Sequence, residues 1–399
     1  MLSPSARPYI EASVPVLRQH GLAITQVFYQ RMFAAYPELE NLFNLGNQAN
    51  GSQQQSLAAA VFAYAANIDK PDALAPVASR IAHKHASVGI RPAHYPIVGR
   101  YLLAAIGEVL GDAATPALLA AWDEAYWLLA GELIAAEARL SEQSGAATGE
   151  MRELQVMETR QECDGVISCY LKTPDGQSPG AFKPGQYVSV AVELAALGRR
   201  QIRQYSLSDA PSRDWWRLTI KREAGEGATP AGMVSNHLHK HVQQGDRLAV
   251  GAPFGDFTPN LDAGRPIALI SAGVGITPMV SVLNTLADRR DSRPIIFAHA
   301  AQSAAHHALR ADLANARDRL AGLQTHVFYE QAGATDHHAQ PGRMALERVL
   351  AGVPADTDFY LCGPIPFMQA QWQALLAHGI APQHIQREVF GPELLDHLL

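Results

Sequence analysis

The feature that most constrains this chain is a change of rhythm along it. Residues 1 to about 140 carry almost no strand-like alternation and read as successive helices, with apolar residues three and four apart. From Arg152 to about Thr258, short β-rich runs (VISCYL, QYVSVAV, RQYSLS, WRLTIKR, RLAVGAP) alternate with Gly and Pro turns, the pattern of a small antiparallel barrel. Beyond Gly264, strand and helix alternate: PIALIS, PMVSVLNTLADR, PIIFAHA, a helix near Ala304 to Leu320, HVFYE, and FYLCG before a further helix. That alternation predicts a parallel, doubly wound sheet. A chain of 399 residues exceeds what one core usually serves, so the three rhythms are expected to be separate domains. We place them at 1–140 (all-α), 152–260 (β-barrel) and 261–399 (α/β), with the small, polar stretch SEQSGAATGE, which suits a linker or a loose helix end, marking the boundary over 141–151.

Composition narrows the function classes. With 48% hydrophobic and 18% charged residues the chain is ordinary for a soluble globular protein. A net charge of -6 with no large basic block argues against a nucleic-acid partner. Three cysteines, Cys163, Cys169 and Cys362, have neither zinc-like nor disulfide-framework spacing, which suits a reducing compartment. The N-terminus mixes charge and proline where a signal peptide needs an unbroken apolar run, and no later run has the length of a membrane span. The expected location is the cytoplasm.

In the helical third, Leu74, Ala78 and Ile81 fall on one face of PDALAPVASRIAHKHASVG, and His85 continues the line while His83 points away. A histidine so placed serves either as a ligand or as a hydrogen-bonded core residue. SQQQSLAAAVFAYAANI opens with a capping-box pattern, Ser52 with Gln55, and its stripe Leu57, Val61, Tyr64, Ile68 runs back to Gln53. On an earlier helix Leu22, Tyr29 and Phe33 share a face, which takes a phenol to the interior, where its hydroxyl needs a partner.

The barrel third contains Arg203, Gln204, Tyr205 and Ser206 in a β-run, with Gly185, Gln186 and Tyr187 upstream and Gly232 to Ser235 before a helical stretch. A guanidinium pairs with phosphate, a tyrosine ring lies on an isoalloxazine, and a helix start with Ser235 holds pyrophosphate, so together these parts fit a flavin site. In the last third, Ala272, Gly273, Val274, Gly275, Ile276, Thr277 and Pro278 follow a strand and open a helix, a turn that lets a dinucleotide approach the backbone. Cys362, Gly363 and Pro364 follow the strand DFYL, at the edge where open α/β sheets bind ligands. Ser303 and Arg310 fit either a 2'-phosphate contact or a solvated surface, which leaves the coenzyme as NAD(P).

Phe43 in PELENLFN, Tyr29, Gln53 and the KHASVG segment resemble the globin domain of flavohaemoglobins, and the R-x-Y-S and G-x-G-x-T-P motifs resemble the ferredoxin-reductase superfamily. The resemblance covers nearly the whole chain. It implies an all-α globin, then an antiparallel β-barrel FAD domain, then an α/β doubly wound NAD(P)-binding domain, with haem b, FAD and NAD(P)H as cofactors. The implied activity is nitric oxide dioxygenation, turning NO and O₂ into nitrate; the alternatives are an oxygen carrier or gas sensor with an auxiliary reductase, and a reductase acting on other acceptors. The protein is expected to be a monomer. On this resemblance His85 is the proximal iron ligand, Tyr29 and Gln53 hold oxygen by hydrogen bonds, and Phe43 lines the haem. Tyr95 in HYPIVG and Glu137 in IAAEARL form the network behind His85, and Lys84 tunes the haem potential. Tyr187, Arg203, Gln204, Tyr205, Ser206 and Ser235 hold FAD, Gly273 to Pro278 hold the nucleotide, and Cys362 lies beside the nicotinamide. In the terminal segment Glu388, Val389, Phe390, Gly391, Pro392, Phe390 covers the flavin and Glu388 adjusts its potential. The chain departs from the pattern at Ala272, where glycine is usual, and in reading GEMREL where an aromatic-rich linker is common.

Overall fold

The computed structural model describes residues 2–225 and 230–391. Contacts among these residues gather into two compact units, one of residues 2–151, 191–203 and 391, the other of 152–190 and 204–390.

The first unit is built on α1 (Arg7–Ala35), α2 (Leu45–Ala49), α3 (Ser52–Ala66), α4 (Pro71–Val88), α5 (His94–Leu110) and α6 (Pro116–Ser144). α1 packs on α3 and α5, and α4 packs on α6. Ile10, Leu17, Phe28, Met32, Ile106 and Trp122 lie in its core. A Cβ added to Gly21 would come 3.5 Å from the Ala58 Cβ, so small residues bring α1 and α3 close together. α3 and α4 touch through Ala60 and Ala63 against Val77 and Ile81. Although Gln53, Leu57, Ala78, Ile81 and His85 continue apolar helix faces, they stay half-buried. Apolar faces left half-buried in this way suit contact with a flat apolar group.

Two local expectations fail here. Leu22 is 41% exposed because the buried arc of α1 centres on Leu17, Gly21, Phe28 and Met32, with Tyr29 at its edge and Leu22 just beyond it. No capping box forms: Gly51, in a left-handed conformation, is the N-cap of α3, and the Ser52 hydroxyl bonds Asn50 and Asn47 instead. Within the stretch 141–151, α6 ends at Ser144 and a strand begins at Met151.

The chain beyond α6 carries two sheets. Strands β1 (Met151–Cys163), β2 (Val166–Lys172), β3 (Tyr187–Leu194), β4 (Arg199–Ser206), β5 (Trp216–Lys221) and β6 (Arg247–Gly251) form a six-stranded sheet in the order β4-β3-β6-β1-β2-β5. An antiparallel bridge between Leu207 and Leu218 ties the two edges together and closes the sheet on itself, which removes exposed edges. A short helix, α7 (Met233–His241), lies between β5 and β6.

The second sheet is parallel, in the order β10-β9-β8-β7-β11-β12. Its elements run β7 (Ile267–Ala272), α8 (Ile276–Arg289), β8 (Ile295–Ala301), α9 (Arg310–Arg317), β9 (Leu323–Tyr329), β10 (Gln340–Pro341), α10 (Leu346–Val349), β11 (Asp358–Cys362), α11 (Ile365–Ala377) and β12 (Ile385–Glu388). The helix expected near Ala304 to Leu320 is confined to Arg310–Arg317, after a short turn and a left-handed Leu309. The chain steps outward from β7 to β9 and then returns to the other side at β11, so the crossover direction reverses between β7 and β11. That reversal opens a crevice at their C-terminal ends. Arg217 of β5, nearly fully buried, pairs with Asp312 of α9 at 2.8 Å, and Asn284 of α8 bonds both Asp209 and Asp312. Burial works against the Arg217 charge, but Asp312 and Asp209 outweigh it and hold its pKa above the usual arginine range. Among the described residues no helix is long and apolar enough to cross a membrane.

Candidate functional site

His85 stands in the last turn of α4, where the helix stops because Gly89 takes a left-handed conformation (φ +87°). The N–H groups of Gly89 and Ile90 both return to the His85 carbonyl at 3.0 Å. A Cβ on Gly89 would also meet the Gly149 Cα at 2.8 Å, so both shape and conformation require glycine there.

The His85 ring is fixed from behind. Its Nδ1 lies 2.9 Å from Glu137 Oε1 and 3.1 Å from the Tyr95 hydroxyl, while that hydroxyl donates to the same Glu137 oxygen at 2.5 Å. With a carboxylate as the shared acceptor, Nδ1 carries the ring proton and Nε2 keeps its lone pair, the state a metal ligand needs. Burial, then the hydrogen bond and charge of Glu137, push the Tyr95 phenol above its ordinary range, so it stays a donor. Glu137 Oε2 is buried with no partner.

Tyr126 completes the buttress by donating to the Tyr95 carbonyl at 2.6 Å. It reaches this position because α5 carries Gly99, where a Cβ would sit 2.5 Å from the Tyr126 ring. Sequence reasoning missed Tyr126. The signal was present: it precedes Glu137 by eleven residues on α6, three turns along one face.

Tyr29 is buried on α1, stacked on Phe33 with ring centroids 5.6 Å apart and edge-on to Phe43 at 5.7 Å. Gln53, in the first turn of α3, donates its amide to the Tyr29 oxygen at 3.4 Å. Burial pushes the Tyr29 phenol up to about 12, with the Gln53 and Gln48 side chains working against that rise. At neutral pH the group is therefore a protonated donor. Lys84 is exposed and its Nζ donates to the Gly391 carbonyl at 3.4 Å. The donor set fits a haem: an imidazole with a free Nε2, a phenol and an amide at a second position, Phe43, and half-buried apolar helix faces.

In the barrel, Tyr187 pairs through its backbone with Phe254, N–H to carbonyl in both directions at 2.8 and 2.9 Å. Glycines keep this region thin: a Cβ on Gly185 would lie 2.0 Å from the Phe257 carbonyl oxygen. Arg203 donates to the Ile202 carbonyl and to Asn44 Oδ1, both at 2.7 Å, and Gln204 reaches Ser189 at 3.4 Å. Asn44 is also the N-cap of α2, accepting from Gly46 and Asn47, and sequence reasoning did not single it out. Tyr205 is half-buried and Ser206 buried. Ser235 stands in the first turn of α7, its hydroxyl donating to the Gly232 carbonyl and accepting from the Glu223 N–H, each at 3.2 Å.

The crevice between β7 and β11 gathers the remaining motifs. Gly273 (φ +53°), Val274 and Gly275 form one tight turn between β7 and α8. Thr277 returns its hydroxyl to the Val274 carbonyl at 3.0 Å, while Ile276 and Pro278 are buried in the helix start. A Cβ on Gly275 would stand 2.3 Å from the Cys362 carbonyl oxygen, so the absence of a side chain seats this turn against the end of β11. Cys362 is fully buried, and burial followed by the Glu388 charge pushes its thiol up, which makes it a poor nucleophile. Glu388 is paired in register with Cys362, bringing a carboxylate to the same edge. Val389 is half-buried, Phe390 is 45% exposed, Gly391 has φ +130°, and Pro392 lies outside the described residues. An aromatic ring left that open beside a dinucleotide-type edge suits contact with a planar ligand.

Comparison with known proteins agrees with both units. The globin family model matches residues 26–133, and the oxidoreductase NAD-binding domain model matches residues 269–373. A flavohemoprotein of Rhizobium meliloti (strain 1021) is 46% identical over 402 residues, covering 99% of each chain. One from Bordetella bronchiseptica is 48% identical over 401 residues, covering 98% of this chain and 99% of that one. Among solved structures, the flavohemoglobin of Malassezia yamatoensis with bound FAD and heme superposes with a TM-score of 0.84 at 29% identity, over 98% of this chain and 100% of that one. The FAD/NAD-binding domain of the nitric oxide dioxygenase of Vibrio cholerae gives 0.55 at 38% identity, covering 61% of this chain and all of its own.

Proposed function

The chain belongs to the flavohemoprotein family, and from that premise we propose that it is an NAD(P)H-dependent nitric oxide dioxygenase, converting NO and O₂ to nitrate. The proposed division is a haem-binding globin over 1–140, a connection over 141–151, an FAD-binding barrel over 152–260 and an NAD(P)-binding domain over 261–399. Bound in these domains, NAD(P)H would be the hydride source, FAD would supply the exchange between paired and single electrons, and haem b would supply a one-electron iron centre for the chemistry of oxygen with NO.

The chain's own residues do the rest. His85 would hold the iron through Nε2. Its Nδ1 proton, shared with Glu137, makes the ring more electron-donating, and this favours oxygen chemistry over reversible carriage. Tyr95 and Tyr126 keep that carboxylate in place. Gln53 donates to the Tyr29 oxygen, which leaves the Tyr29 proton available, and it would be given to a ligand on which negative charge develops. Phe43 would pack on the macrocycle. In the reductase half, Tyr187, Arg203 to Ser206, Ser235 and Val389 to Gly391 would hold FAD, and Gly273 to Pro278 with Cys362 would seat the nucleotide. Lys84 and Glu388 are charges suited to adjusting the two potentials. The proposed setting is the cytoplasm and the proposed state a monomer; among the described residues no helix is long and apolar enough to cross a membrane.

The observation that carries this reading is the buried Glu137 bonded to Nδ1 of a helix-end histidine. Replacing His85 with alanine is expected to abolish NO consumption while NAD(P)H-dependent reduction of an artificial electron acceptor continues. Undiminished NO consumption by His85→Ala would remove the haem from the mechanism.

A further inference from the structure

We propose that His237 and His241 form a two-imidazole chelate for a divalent transition-metal ion on the last turn of α7. The site is separate from the haem, flavin and nucleotide positions described above.

The two histidines stand four residues apart on one helix, so one lies above the other, the spacing at which a pair of helical imidazoles shares an ion. Their ring centroids are 4.7 Å apart, with the planes tilted by 44°. His241 is exposed and His237 half-buried, and among the described residues neither ring makes a hydrogen bond. An imidazole is mostly neutral at neutral pH, so each ring has a lone pair to give. The histidine between them is already committed. His239 points to the other side of α7, where its Nε2 donates to the Ile220 carbonyl at 2.9 Å.

The helix that carries the pair is anchored before any ion arrives. Val234 and Leu238 are fully buried, and Asn236 donates to the Glu223 and Gly232 carbonyls at 2.7 and 2.8 Å. The two rings therefore start from a fixed backbone, which lowers the cost of bringing them together. His241 is also the last residue of α7, so an ion held there lies at the negative end of the helix dipole. Two nitrogen donors select zinc, nickel or copper over magnesium and calcium, which prefer oxygen, and water completes the coordination. A helix of nine residues is marginal by itself. An ion tying residue 237 to 241 holds its last turn closed.

The test uses the full-length, cofactor-loaded protein, freed of loosely held metal by a chelator and titrated calorimetrically with zinc and with nickel chloride. The tightest site is expected to weaken at least about tenfold in His237→Asn and in His241→Asn alike, since losing even the partner of a metal-ligating histidine costs that much. Copper(II) at that site should show the electron paramagnetic resonance splitting of two imidazole nitrogens, reduced to one in either variant. Hydrogen exchange of the α7 amides in the wild type should slow about tenfold at a zinc concentration ten times Kd. In the variants the same zinc should leave that exchange unchanged. Zinc affinity kept by either variant places the metal on other histidines and overturns the proposal. Wild-type protein that takes up none of the three metals overturns it as well.

Discussion

Glu137 has one oxygen that takes two hydrogen bonds and another, equally buried, that takes none. Burying a carboxylate on these terms is expensive. The cost is understandable if its charge is used to set the electron density of His85. Glu137→Gln keeps the shape and removes the charge, so haem should still bind. NO consumption is expected to fall about 10- to 100-fold, the usual effect of losing a partner of a metal-ligating histidine. Loss of haem, or full activity, would show that the carboxylate serves another purpose. The Tyr95 phenol, held above its ordinary range, adds no titration of its own near neutral pH.

At the scale of elements, the glycines of the turn between β7 and α8 show how shape prepares the proposed coenzyme site. Gly275 sits so close to the Cys362 carbonyl that a methyl group there meets backbone, which cannot swing aside as a side chain can. Gly275→Ala is expected to raise the KM for NAD(P)H at least about tenfold, roughly the 1–3 kcal/mol of an overpacked site, while the haem spectrum stays unchanged. An unchanged KM would separate this turn from coenzyme binding. Much of this architecture was legible in the sequence, because periodicity responds to burial. The helices of the first unit, the strands with strong alternation, and the G-x-G-x-T-P turn all carry it. Where burial was uneven the signal failed. β1 was passed over because most of its residues are polar and exposed, and α9 was drawn too long because its flanks are irregular. Tyr29 and Gln53 could be aimed inward from their helical stripes. Glu137, 52 residues from His85, had no local signal and was placed only through resemblance.

For the molecule as a whole, the two kinds of site answer a mismatch in electron number. A nicotinamide gives electrons in pairs and a haem iron takes them one at a time, so a flavin is the natural intermediary. A chain carrying a helix-end histidine backed by a buried carboxylate, a barrel with an R-x-Y-S motif and a crevice at a glycine turn has the parts proposed for that conversion. The most direct test is to follow NO, nitrate and NAD(P)H together in aerobic solution with the haem- and FAD-loaded protein. Rapid loss of NO with about two nitrates formed per NAD(P)H oxidised is expected, since each nitrate requires one electron. NAD(P)H oxidation that ignores added NO, with nitrate no faster than in buffer, would contradict the account.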